Sequence, residues 1–265
     1  MSLINPANNR AADQEFQAYL DVKEAEFHRR LMPILSAAIR LQVATGSQRA
    51  QNYVEQRASP ILTRHITKLY RDAWNDVTDV MERMEAKARP VGVLTYKASN
   101  LVRTPTLTDF LEEQLGYIRS YAAARIKEIS RTMTDYIRGL VFTGVKEGKP
   151  NDVIAREIRA RSNEIGKHRA ATIARTETHN AALDGIEKTL KKKRIRVRKK
   201  TWWTAQDDRV RASHAAVHGV TIDMDAKFRV GDSEMTRPGD PEGGAEEVIN
   251  CRCSILYTTE DSNPI

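Results

Sequence analysis

Toward the C-terminal end, Asn250-Cys-Arg-Cys sets two thiols one residue apart, and upstream His214 and His218 stand four residues apart. On a strand, Cys251 and Cys253 share a face with Ile249 and Ile255 while Arg252 points the other way. On a short helix, His214 and His218 are neighbours beside Val210 and Val217. Two thiolates and two imidazoles are what tetrahedral zinc accepts, and a small domain poor in aromatics gains folding energy from such a clip. Three readings stand side by side. One is a zinc site on His214, Cys251 and Cys253, with His218 as the weakest fourth ligand. The others are small buried cysteines packed beside a hydrogen-bonded core histidine, or a catalytic thiol. A disulfide within C-x-C is strained and disfavoured in a reducing compartment.

Further polar residues gather around these positions: Arg175, Glu177 and His179, then Asp207, Asp208, Arg211 and Arg252. Arg175 and Glu177 are two apart and cannot pair on one helix face, so each needs a partner elsewhere, for example Glu177 with Arg211 or Arg252. An enzymatic version uses Glu177 or Asp207 as base and a histidine as acid. It would be a metal-dependent hydrolase or nuclease, with His214, Cys251 and Cys253 as ligands and one open coordination position. Carboxylates and histidines are too common for that reading to stand alone, and a non-enzyme is expected.

A second chemistry is electrostatic. The chain carries a net charge of +8, and nine Lys or Arg residues with no acid lie between Lys188 and Lys200. Removing those nine leaves the other 252 residues at −1, so one segment accounts for the whole basic excess. From Ile195 the run alternates, with Ile195, Val197 and Trp203 on one side and Arg194, Arg196, Arg198 and Lys200 on the other. A half-buried strand with a cationic outer face fits that pattern. Lys191, Lys192, Lys193, Arg194, Arg196, Arg198, Lys199 and Lys200 are the expected contacts to DNA phosphates, without base readout. A solvated, aggregation-blocking strand edge is the plainer alternative.

The elements that must position these groups divide at about residue 105. Residues 1–105 read as helical, with Phe16, Leu20, Phe27, Leu31 and Leu35 near helical spacing. Pro33 predicts a kink or break. Ser59-Pro60 predicts the start of a new helix running towards Lys87, stopped by Pro90. Val91–Pro105 reads as a linker. Residues 106–265 form the second part. A helix capped by Thr106 ends near Gly144 or Gly148, Pro150-Asn151 starts another, and a third runs from about Ile165 to Leu190. The small residues of the third (Ala170, Ala171, Ala174, Ala181, Ala182) suit close packing. Strands are expected at Ile195–Thr204, Val220–Ile222, Phe228–Val230 and Ile249–Thr258, with a short helix over Asp208–His218. SEMTRPGDPEGGAEE reads as turn and loop. The expected class is α+β: a long helical region followed by a small α+β domain with a short sheet.

With 265 residues, 40% apolar and 29% charged, the chain can bury a real core, and it is neither collagen-like nor disordered. No apolar run approaches the length of a membrane helix, the first residues carry no secretory pattern, and two cysteines make no disulfide scaffold. The expectation is a soluble protein made in a reducing cytoplasm.

IARTETHNAALDG, KKTWWTAQDDRVRASHAAVHG and FRVGDSEMTRPGDPEGGAEEVINCRC, in that order, resemble the phage head morphogenesis family typified by the F protein of phage Mu. The resemblance covers roughly 152–257. It rests on Arg175-Thr-Glu177, Trp203, Asp207 or Asp208, Arg211, His214, Pro238-Gly-Asp-Pro, and Asn250, Cys251, Arg252 and Cys253. His218 lies outside the pattern. The resemblance implies a minor capsid protein of a tailed phage or prophage, made in the bacterial host cytoplasm and lying inside the shell near packaged DNA. It implies portal or capsid subunits and double-stranded DNA as partners, room for a homo-oligomer, and no enzymatic activity to carry over. The helical region before it is expected to dock on the larger assembly. No phosphate loop ending in Lys-Ser/Thr is present, so the packaging motor is excluded.

Overall fold

The computed structural model describes residues 9–88 and 105–259, with side chains described as far as residue 83 in the first stretch. The expected linker lies outside these residues except at its last position. Five helices precede the first strand: α1 (Asn9–Thr45), α2 (Ser47–Ala88), α3 (Leu107–Lys146), α4 (Asn151–Ala160) and α5 (Ser162–Lys192).

Neither the break expected at Pro33 nor the helix start expected at Ser59-Pro60 is found. Pro33 lies inside α1 and Pro60 inside α2, with neither helix divided there. An interior proline removes one backbone hydrogen bond, but the buried faces on either side are continuous: Phe27, Leu31 and Leu35 in α1, Val54, Ala58, Leu62 and Ile66 in α2. Packing of an apolar face outweighs local propensity in long helices. The break falls instead at Gly46, whose φ of +92° suits glycine and whose N–H reaches the Gln42 carbonyl at 2.9 Å. At the start of α3 the Thr106 cap holds: the Asp109 N–H donates to Thr106 Oγ1 at 3.2 Å, and the Thr106 N–H donates back to Asp109 Oδ2 at 2.9 Å.

The remaining elements are β1 (Val197–Trp203), α6 (Ala212–Ala216), β2 (Thr221–Asp223), β3 (Phe228–Val230), β4 (Ser233–Met235), α7 (Ala245–Val248) and β5 (Ser254–Thr259). Strands β2, β1 and β5 form an antiparallel sheet in that order, and β3 and β4 form a two-stranded ribbon. The protein is α+β, as expected. The segment read as pure loop contains β4 and most of α7, because Ser233-Glu-Met and Ala245-Glu-Glu each offer one apolar residue among turn-forming neighbours.

By packing, the chain divides into two compact units that each draw on both sides of residue 105. Of the described residues, the first comprises 9–20, 68–88, 105–114 and 179–259. Its core gathers Phe16, Leu20, Val77, Leu183, Ile186, Trp202, Phe228 and Ile255 with Cys251 and Cys253. The second comprises 21–67 and 115–178 and is built from helices around Leu31, Leu35, Leu62, Ile118, Ile126, Met133 and Ile158. The small residues of α5 do allow close approach. In the second unit, a Cβ on Gly166 would meet Ser36 Oγ at 2.3 Å, and in the first, one on Gly185 would meet Ala73 Cβ at 3.2 Å.

Candidate functional site

Between α7 and β5 the chain turns at Asn250, whose φ of +58° lies in the left-handed region that asparagine tolerates better than most residues. Cys251 and Cys253 follow just before β5, both buried, with Arg252 partly exposed between them. Cys251, Cys253 and Ile255 are all buried, but both cysteines precede the strand on which they were expected and Ser254 is buried as well, so the expected alternation is not seen. Ile249 is exposed, because it belongs to the end of α7 and not to the strand.

His214, on α6, meets both thiols. Its Nδ1 lies 3.2 Å from Cys253 Sγ and 3.8 Å from Cys251 Sγ, and the three potential donor atoms fall within 4.8 Å of one another. On the other side of the ring, Nε2 is 2.9 Å from Glu247 Oε2, an ion-pair approach without the alignment of a hydrogen bond. Glu247 is fixed by the Ser213 hydroxyl, which donates at 2.8 Å. Trp202 closes the cluster edge-on, 5.4 Å from the His214 ring and 5.3 Å from Phe228. A hydrogen bond from Cys253, joined by the imidazoles of His179 and His214, pulls the Cys251 thiol well below its ordinary pKa. The same sharing, with burial, pushes Cys253 up.

Neighbouring contacts hold the Cys-Arg-Cys segment from both sides. His179 donates from Nε2 to the Cys253 carbonyl at 2.6 Å. From α1, Gln17 donates to the Arg252 carbonyl at 2.9 Å, and Ser254 donates to Asp13 at 2.7 Å. Arg252 grips Asp207 with two 2.7 Å hydrogen bonds, which hold the Asp207 carboxyl well below the usual carboxylate range. Arg211 donates to the Ile249 carbonyl. The Pro238-Gly-Asp-Pro loop packs on the same region: a Cβ on Gly239 would come within 2.8 Å of His179 Nδ1. Beside it, buried Arg237 donates to Asn180 at 2.7 Å and Asp184 at 3.1 Å.

Several sequence expectations are corrected here. His218 is not a ligand beside His214: its Nδ1 is taken by Thr204, its Nε2 lies 2.7 Å from Gln206, and its ring packs on Trp203. Glu177 pairs with neither Arg211 nor Arg252. It belongs to the second unit, where Tyr121 donates to it at 2.9 Å and Arg125 contacts it at 2.8–2.9 Å. In the same unit Arg175 pairs with Glu24 at 3.3 Å. The carboxylate assigned as a base is thus already engaged by two donors.

The basic run is also rearranged. A bulge between Val197 and Lys199 shifts the β1–β5 register, so the inward face changes from odd to even positions. Lys200 and Trp202 consequently point in. Lys200 is 2% exposed, 5.8 Å from the Phe228 ring centre, and burial pushes its pKa down. The cations before the strand are partly matched: Lys191 pairs with Glu187 at 3.0 Å, Lys192 pairs with Glu113, and Lys193 sits 4.0 Å above the Trp74 ring. Arg194, Arg196, Arg198 and Lys199 remain exposed. Trp202, Glu247, Ser213 and Arg237 escaped sequence reading. Only Trp202 had a detectable signal, its place beside the basic run.

Long helices lead into two small antiparallel sheets, with a buried histidine–cysteine cluster and exposed cations at the β1 bulge, in an α+β protein. Residues 135–256 match the family described as Phage Mu protein F like protein. The minor head protein GP7 of Bacillus phage SPP1 is 26% identical over 145 residues, 52% of this chain and 46% of GP7. An NAD(+)–arginine ADP-ribosyltransferase, EFV, of Enterococcus faecalis strain ATCC 700802 / V583 is 29% identical over 168 residues, 62% of this chain and 32% of that protein. The chain therefore spans less than half the length of either curated relative. No solved structure matches. Over these segments the chain is similar to a phage protein family and to a phage minor head protein.

Proposed function

We propose that the protein is a minor component of a tailed-phage head, acting by binding: it contacts portal or capsid subunits and touches packaged DNA through the cationic bulge of β1. The observation that carries this reading is the family match over residues 135–256, reinforced by a relative named as a minor head protein. The DNA contact rests on Arg194, Arg196, Arg198 and Lys199, which are exposed. Of the two neighbouring aromatics, Trp202 is buried and Trp203 packs on His218, so neither offers a free face for base stacking. That combination suits phosphate contact without sequence readout. A surface for protein partners is supplied by the last turns of α3, where Val141, Phe142 and Val145 are exposed, Phe142 by 70%.

Replacing Arg194, Arg196, Arg198 and Lys199 with glutamine tests the DNA contact. Affinity for double-stranded DNA should fall, and the slope of log K against log salt should become shallower by about 3–4, close to one for each phosphate no longer neutralised. An unchanged slope would remove the bulge from the interface. Lys200→Gln serves as a contrast, since its ammonium faces the core and should not change the slope.

A further inference from the structure

We infer that His214, Cys251 and Cys253 form a zinc site that clips the segment preceding β5 to α6. The inference is independent of the head-protein reading, since it concerns how the C-terminal part is held together.

The geometry is close to that of a loaded site. Tetrahedral zinc, with Zn–S of about 2.3 Å and Zn–N of about 2.0–2.1 Å, sets sulfur–nitrogen separations of about 3.6 Å and a sulfur–sulfur separation of about 3.8 Å. The observed sulfur–nitrogen distances, 3.2 and 3.8 Å, bracket the first value, and all three donor atoms lie within 4.8 Å of one another. Each ligand is at most 3% exposed, so bulk solvent does not compete for the thiols.

The surroundings select the ligand form of each group. Glu247, 2.9 Å from Nε2, favours a proton on that nitrogen and leaves the Nδ1 lone pair directed at the two sulfurs. A carboxylate behind a ligating imidazole is the usual outer-shell arrangement of zinc histidines. Ser213 fixes this carboxylate from α6 itself. Binding displaces the thiol protons and draws both sulfurs into thiolate form. Three protein ligands leave one coordination position for water. Among the described residues no fourth donor joins the group, and His218 is held by Thr204 and Gln206.

The test is a cobalt(II) titration of the purified, reduced full-length chain. The expected result is a thiolate-to-cobalt charge-transfer band that saturates at about one equivalent and is bleached by zinc. Cys251→Ser and His214→Ala should lose the band. Glu247→Gln should keep it, with metal affinity about 10–100-fold weaker. If the ligand variants do not fold, the native chain still decides the matter, because zinc should slow alkylation of both cysteines. A folded wild-type chain without the band, or zinc-insensitive alkylation, would overturn the site.

Discussion

Asp240 illustrates how the polar residues of the C-terminal part act. Its carboxylate accepts the Thr236 N–H at 2.7 Å, the Thr236 hydroxyl at 2.6 Å and the Glu242 N–H at 3.0 Å. Burial works to raise its pKa, but these hydrogen bonds and Arg237 prevail and leave it lowered. A carboxyl whose pKa is lower folded than unfolded adds stability above its unfolded value, near 3.9, and loses it as pH falls through the folded value. Asp240→Asn sets an amide N–H₂ against one of these donors and should cost about 1–3 kcal/mol at neutral pH. Chemical unfolding from pH 7 down to about pH 3 should show the gap between wild type and variant closing towards acid. A constant gap would mean that Asp240 acts through shape alone. Such residues were poorly legible in the sequence. Arg237, Asp240 and Glu247 lie in a stretch with no hydrophobic period, and the partners of Arg237 and Glu247, at positions 180, 184 and 213, are distant along the chain.

Among the elements, legibility followed the presence of a local signal. Thr106 as a cap, Asn151 as a helix start and Phe228–Val230 as a strand were readable because each has a local cause. The face of β1 was misassigned because a single inserted residue inverts a period-two pattern, and nothing in the residue types marks the bulge at Arg198. Arg198 and Lys199 both remain outside as a result, while Lys200 and Trp202 turn inward. Helix–helix approach yields a prediction of its own. Gly116 in α3 is exposed, and an added Cβ there meets nothing within 4 Å, whereas a Cβ on Gly166 in α5 would meet Ser36 at 2.3 Å. Gly116→Ala should therefore stabilise by about 0.5–1 kcal/mol through helix propensity. Gly166→Ala should destabilise by about 1–3 kcal/mol through overpacking. Denaturant midpoints moving in opposite directions would bear this out, and movement in the same direction would contradict the close contact between α1 and α5.

For the molecule as a whole, the proposed binding role rests on its surface features and on the family match. The exposed cations of the basic run lie just before and at the β1 bulge, the carboxylate that resembled a base is engaged by Arg125 and Tyr121, and among the described residues the most exposed large apolar side chain is near a helix end. The proposal takes the partners of these surfaces from the likeness to Phage Mu protein F like protein over residues 135–256. A chain built into the phage head should be found by mass spectrometry in purified, DNA-filled heads of the phage or induced prophage that encodes it. It should co-purify with those heads, in fewer copies than the major shell subunit, after treatments that strip loosely bound protein. Its absence from such heads, with the protein present in the producing cells, would contradict a place in the head.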